Sequence, residues 1–260
     1  MTEKITRRSF FKAAGATAAV LGVGATANPS ADAEAAQPAA GQARGTGTPH
    51  TLLFFRPDEA RFIEAATERL IPPDANGPGA IEAGVPEYID RQLAGAWGAG
   101  ERLYRSGPWQ PGLPGQGYQL PFTPAELFRN ALRGVAEDLQ KRRRTSFDKL
   151  TGAEQDAYLQ SLQTGQQDLN GVPAYLFFES LLGLSIEGFF SDPVYGGNKD
   201  MAAWRMIGFP GAYASFYHLV DQHGIAFTRP PISMGDDGRG MIHLHPVMGP
   251  TASGAKQGGK

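Results

Sequence analysis

The chain has 260 residues, a net charge of −2, and 41% hydrophobic against 19% charged residues, which suits a globular domain and excludes a basic nucleic-acid binder. With Cys at 0, disulfides, thiol catalysis, thiolate-bound zinc, iron–sulfur clusters and covalently attached haem c are excluded from this chain. Gly at 34 and Pro at 20 exceed average usage and predict long loops shaped by specific turns.

The chain opens on Thr6-Arg7-Arg8-Ser9-Phe10-Phe11-Lys12, which resembles the twin-arginine export signal. Arg7, Arg8, Phe10, Phe11 and Lys12 are the signal residues: an arginine pair, a polar residue, two large apolar residues and a lysine. Ala13 to Ala27 is Ala- and Gly-rich and falls short of the ~18 strongly apolar residues of a spanning helix. Ala31-Asp32-Ala33 and Ala33-Glu34-Ala35 offer small-residue cleavage sites, so residues 1–35 read as a signal peptide, with an uncleaved anchor as the alternative. Residues 36–54 read as a flexible tether and residues 249–260 as a disordered tail. Residues 55–248 between them read as a single all-α, irregular helical domain with long Gly/Pro-rich loops.

Arg56-Pro57-Asp58-Glu59 predicts a helix start, with proline at the first position and acids in the first turn. Phe62, Ile63, Ala66 and Leu70 then share one apolar face, and Ile71-Pro72-Pro73 ends the run. A second helix is expected from Pro86 to about Leu93, with Tyr88, Ile89 and Leu93 inward. Residues 98–121 are aperiodic and predict an ordered loop or arm around Trp109 and Tyr118. Thr123-Pro124-Ala125-Glu126 is a capping box opening the longest helix, expected over 124–147 and buried along Leu127, Phe128, Ala131, Leu132, Val135 and Leu139. Lys141-Arg142-Arg143-Arg144 near its end suits the helix dipole, with a basic docking patch as the alternative.

Thr151-Gly152-Ala153-Glu154 is a second capping box, for a helix to about Gln163. Residues 172–190 are apolar nearly all round, as expected of the central helix. A further helical stretch is expected over 201–220, broken at Gly208-Phe209-Pro210-Gly211. Nothing alternates with period two for long enough to predict a sheet.

The most distinctive stretch runs Phe189-Phe190-Ser191-Asp192-Pro193-Val194-Tyr195-Gly196-Gly197-Asn198-Lys199-Asp200. Its Asp, Gly and Asn residues are turn formers, and Asn198 to Asp200 can cap the helix that carries Trp204. The Gly196-Gly197 pair does not form a phosphate loop, since no G-x-G-x-x-G or Walker lysine surrounds it. This stretch, with Trp204-Arg205-Met206-Ile207-Gly208-Phe209-Pro210-Gly211 and the upstream Leu70-Ile71-Pro72, Ala80 to Val85 and Tyr88-Ile89-Asp90, closely resembles the gluconate 2-dehydrogenase subunit 3 family over roughly residues 55–215.

The resemblance implies a non-catalytic small subunit. It would bind a FAD-dependent large subunit of the glucose–methanol–choline type, stabilise it, and carry it through the twin-arginine translocase to the periplasm. The complex would lie at the outer face of the inner membrane and oxidise gluconate, another sugar or a polyol. No cofactor is expected in this chain; FAD, and haem c where a cytochrome subunit is present, belong to the partners. The expected partner interface comprises Trp109, Tyr118, Phe190, Asp192, Tyr195, Gly196, Gly197, Asn198, Trp204 and Phe209, since aromatics anchor interfaces.

Two other readings use different residues. A solitary exported binding or scaffold protein needs no partner. An independent periplasmic enzyme would use Glu179 and Glu187, or His243 and His245. Glu179 and Glu187 share a helix face but stand ~12 Å apart along the axis, beyond the usual glycosidase spacing. Carboxylates satisfied by Arg205 or the Asn198 turn are the alternative. His218 and His223, with Asp221, Asp236 and Asp237 nearby, match no metal signature.

Overall fold

The computed structural model describes residues 51–110, 112, 119–213, 221, 224 and 229–236. The export signal with Arg7, Arg8, Phe10, Phe11 and Lys12, most of the tether, Tyr118, Asp237, the tail, and His218, His223, His243 and His245 lie outside them.

Among the described residues six α-helices carry the fold: α1 Pro57–Leu70, α2 Val85–Ala94, α3 Pro124–Arg143, α4 Gly152–Thr164, α5 Ala174–Phe190 and α6 Ala202–Ile207. The described residues are all-α apart from one small hairpin. Their starts follow the capping chemistry of the sequence. The Glu59 carboxylate accepts the Arg56 N–H at 2.8 Å above Pro57. Glu126 accepts the Thr123 N–H at 2.8 Å while Thr123 Oγ1 accepts the Glu126 N–H at 3.2 Å. Thr151 and Glu154 repeat that exchange at α4. The expected stripes of α1 and α3 are buried.

The central helix is α5, against which α1, α2, α3 and α4 all pack. Phe177 and Leu181 on it are fully buried. Phe177 meets Phe128 of α3 edge-on at 5.4 Å and Phe62 of α1 at 6.1 Å. Arg69 of α1 holds Asp156 of α4 through two bonds of 2.7 and 2.5 Å. None of the described helices is long and apolar enough to cross a membrane.

Three expectations change. The longest helix ends at Arg143 rather than 147, because Arg144 turns left-handed at φ 53°. The chain then forms a 3₁₀ turn, Phe147–Lys149, that buries Phe147 against Phe62 at 4.8 Å and Tyr158 at 5.9 Å. Burying that ring outweighs another helical turn. At that end Arg142 pairs with Asp138 at 2.6 Å and Arg143 with Glu154 at 2.7 Å.

Second, the segment assigned wholly to the central helix begins as a strand. Asp168–Leu169 (β1) pairs antiparallel with Val172–Pro173 (β2), and Asn170 and Gly171 turn between them at φ 55° and 87°. Asn-Gly with both residues at positive φ is the two-residue turn that matches strand twist. Its short hairpin buries Leu169 and Val172. Gly134 of α3 admits it: a Cβ there would lie 2.8 Å from the Leu169 Cα.

Third, within the expected 201–220 stretch the described helix covers Ala202–Ile207 and stops at Gly208, φ 72°. Residues 214–220 lie outside the description.

Candidate functional site

Asp192 is the centre of the corner that follows α5. Its Oδ1 accepts the Val194 N–H at 3.0 Å and the Ser233 hydroxyl at 2.6 Å. Its Oδ2 accepts the Met234 N–H at 2.8 Å. The aspartate therefore shapes its own turn and also ties down residues 232–234. A second tie lies nearby, where the Ala212 N–H donates to the Ile232 carbonyl at 2.7 Å and the Ile232 N–H to that of Pro210 at 3.1 Å.

Asn198 closes the corner. It is fully buried with φ 46°, donates from Nδ2 to the Ser191 carbonyl at 2.9 Å, and accepts the Ala203 N–H on Oδ1 at 2.9 Å. The expected cap of the Trp204 helix is thus made by Asn198. Trp204 is buried and donates its indole N–H to the Phe190 carbonyl at 2.8 Å. Gly197 lies so near α5 that a Cβ would come within 2.1 Å of the Gly188 carbonyl. The glycine pair packs on a helix end, which does not fit a phosphate cradle. The corner also leans on α2: the Lys199 N–H donates to the Ala83 carbonyl at 3.0 Å, and Glu87 pairs with Lys199 at 3.0 Å and with Arg91 at 2.5 Å.

The sequence-predicted interface residues therefore separate by depth. Asp192, Gly196, Gly197, Asn198 and Trp204 are buried and Phe190 is half-buried, whereas Tyr195 and Phe209 are about half exposed. Trp109 is exposed on the 95–110 segment. Phe209 stacks edge-on against Trp204 at 5.1 Å, which fixes the exposed ring to the buried one. Ile207 and Met234 stand exposed in the same part of the chain and were not anticipated.

A cleft of about 250 Å³ opens between α3, α5 and the turn before residue 104. Helix α5 supplies Ser180, Gly183, Leu184 and Glu187, α3 supplies Leu127 and Phe128, and Trp97 and Leu103 complete the lining. Tyr88 of α2 donates its hydroxyl to the Glu187 carboxylate at 3.5 Å. Burial chiefly, then the charge and hydrogen bond of Glu187, and last the charge of Tyr195 push the Tyr88 phenol up to about 12. Partial burial of the Glu187 carboxyl raises its pKa, and the Tyr88 hydrogen bond works against that rise.

Gly183 is the unusual residue of this cleft. A Cβ added there would meet none of the described residues within 4 Å, whereas one at Gly188 would lie 2.8 Å from the Tyr88 ring. Glycine in a helix interior costs about 1 kcal/mol relative to alanine. Gly183→Ala should therefore raise stability by about 0.5–1 kcal/mol, read as a higher urea midpoint with unchanged slope.

Glu179 is exposed and Arg205 donates to the Asp200 carbonyl, so the suggested carboxylate partners are not the observed ones; Glu187 is met by Tyr88. Among the described residues no cluster of three or more His, Asp or Glu side chains is arranged to hold a metal.

No curated protein and no solved structure matches the chain. The family model described as gluconate 2-dehydrogenase subunit 3 matches residues 57–211, from the first residue of α1 to the glycine beyond Phe209. That match takes in the helices, the Asp192–Asn198 corner and the cleft, and spans more than half of the sequence. The chain therefore belongs to the gluconate 2-dehydrogenase subunit 3 family, the small subunits of a dehydrogenase complex.

Proposed function

We propose that the chain is the non-catalytic small subunit of a periplasmic, membrane-associated dehydrogenase that oxidises gluconate, another sugar or a polyol. Its partner is a flavoprotein of the glucose–methanol–choline type, which holds the FAD and performs the hydride transfer. Where a c-type cytochrome subunit is present, electrons leave through its haem. This chain stabilises the flavoprotein and takes it out of the cytoplasm on its own twin-arginine signal.

The family match over residues 57–211 carries this reading. The exposed side chains of Trp97, Trp109, Tyr195 and Phe209 support it, since large rings on a small domain suit a subunit that is covered in its complex. The signal read at Arg7 and Arg8 supports the export role.

Affinity purification of the tagged chain from membrane and periplasmic fractions tests the partner. A larger yellow protein with flavin absorption bands is the expected companion, and a colourless single band would leave a solitary exported protein instead. The export role has its own test in the pair Arg7→Lys and Arg8→Lys. The double variant should hold the flavoprotein in the cytoplasm, and dehydrogenase activity in the periplasm should fall to background. Continued export of the flavoprotein with the double variant would refute the carrier role.

A further inference from the structure

We infer that the cleft between α3, α5 and the 97–103 turn receives a protruding segment of the large subunit in which a bulky apolar side chain lies next to an arginine or lysine. The inference rests on the subunit reading above and adds the place and chemistry of contact.

Size narrows the occupant. At about 250 Å³ the cleft is smaller than the ~300–1,000 Å³ usual for small-molecule pockets, and it suits one or two inserted side chains. Gly183 points the same way. Among the described residues no atom lies within 4 Å of where its Cβ would stand, although Gly134 and Gly188 are held to glycine by Leu169 and Tyr88. Any larger side chain at 183 would project into space that the described residues leave vacant. A bare backbone there, retained despite its cost to the helix, keeps room for a group from outside.

Charge supplies the rest. Glu59, Glu87, Asp138, Glu154 and Asp156 each pair with an arginine of the same chain. Among the described residues Glu187 forms no such ion pair; it accepts a long hydrogen bond from the neutral Tyr88 hydroxyl at 3.5 Å. A carboxylate at an apolar cleft, without a cation of its own, is matched by a cation that arrives with an apolar neighbour. Trp97, 45% exposed and lining the same cleft, offers an aromatic face to that cation and a ring to its neighbour.

The test uses the full chain and the flavoprotein subunit purified from the same complex. Dissociation constants are measured for the wild type, Gly183→Phe, Glu187→Lys and Tyr175→Ala. Tyr175 is exposed on the first turn of α5 outside the cleft and serves as the control. Gly183→Phe, which fills the cleft, and Glu187→Lys, which reverses its charge, should each weaken binding about 30-fold or more. Tyr175→Ala should bind as the wild type does, and thermal melts should show each variant folded. Glu187→Lys leaves the interior of α5 unchanged and gives up only the long Tyr88 hydrogen bond, so it keeps the test decisive if Gly183→Phe proves unstable. Wild-type binding that both variants retain within about threefold would overturn the cleft assignment and leave the subunit reading intact. No binding by the wild type would refute the subunit reading, and the cleft assignment with it.

Discussion

Asp90→Ala should cost about 3–5 kcal/mol of folding stability, among the largest effects of any single change in this chain. Asp90 is fully buried on α2, and its carboxylate accepts three successive backbone N–H groups: Leu53 at 2.7 Å, Phe54 at 3.0 Å and Phe55 at 2.8 Å. Alanine would leave all three donors without this acceptor. The Phe55 donor is buried and would bear the full desolvation cost, whereas the other two are partly buried and can regain some water. Arg129 grips the same segment from α3. It donates to the Phe54 carbonyl at 2.7 Å, lies over the Phe54 ring at 4.1 Å and pairs with Glu59. One helix thus takes the N–H side of residues 53–55 and another takes a carbonyl and a ring. Urea unfolding of Asp90→Ala should show the loss, with a melting temperature lower by about 10 °C. Asp90→Asn, which keeps one acceptor oxygen, should fall between the two. A loss below about 1 kcal/mol for Asp90→Ala would mean that the segment before α1 contributes little to the fold.

How much of this was legible in the sequence depended on range. The α1 stripe of Phe62, Ile63, Ala66 and Leu70 and the Thr123 and Thr151 capping boxes are local, and each element formed where its pattern placed it. The Asn170-Gly171 turn was equally local and equally visible. The apolar run beginning at Val172 masks it, because that run reads as a single helix. The end of α3 could not be read locally, since it is set by the burial of Phe147 against Phe62 and Tyr158.

Side-chain partners were the least legible. Asp192 carries every mark of a turn residue, and it is one, yet its shortest bond goes to Ser233, 41 positions away. Asp90 reaches back 35 to 37 positions to residues 53–55. Nothing in the local pattern of a buried carboxylate names a distant backbone as its partner. The cleft is assembled from the 97–103 turn, α3 and α5, so its existence depends on packing. Only Gly183, an interior helix glycine with no turn to make, was a usable signal.

Asn198→Ala should cost about 3–4 kcal/mol, and the reason can be divided by a second variant. Alanine removes both hydrogen bonds of the side chain, leaving the Ala203 N–H and the Ser191 carbonyl without it. It also places a Cβ-bearing residue without local polar help at φ 46°, which costs about 1 kcal/mol. Asn198→Gly loses the same two hydrogen bonds but occupies that backbone region freely. It should therefore be destabilised by about 1 kcal/mol less than alanine. Equal losses in urea unfolding would assign the whole effect to the hydrogen bonds and show that the backbone bears no strain. The functional consequence follows from what the residue holds. Asn198 joins the end of α5 to the start of α6, and α6 carries Trp204, against which the exposed Phe209 ring is set. Loosening that joint frees the orientation of Phe209 while leaving its side chain present. If the corner contacts the flavoprotein, Asn198→Gly should weaken the complex at temperatures where the chain is still folded. Unchanged affinity in the folded variant would confine Asn198 to holding the corner of the core.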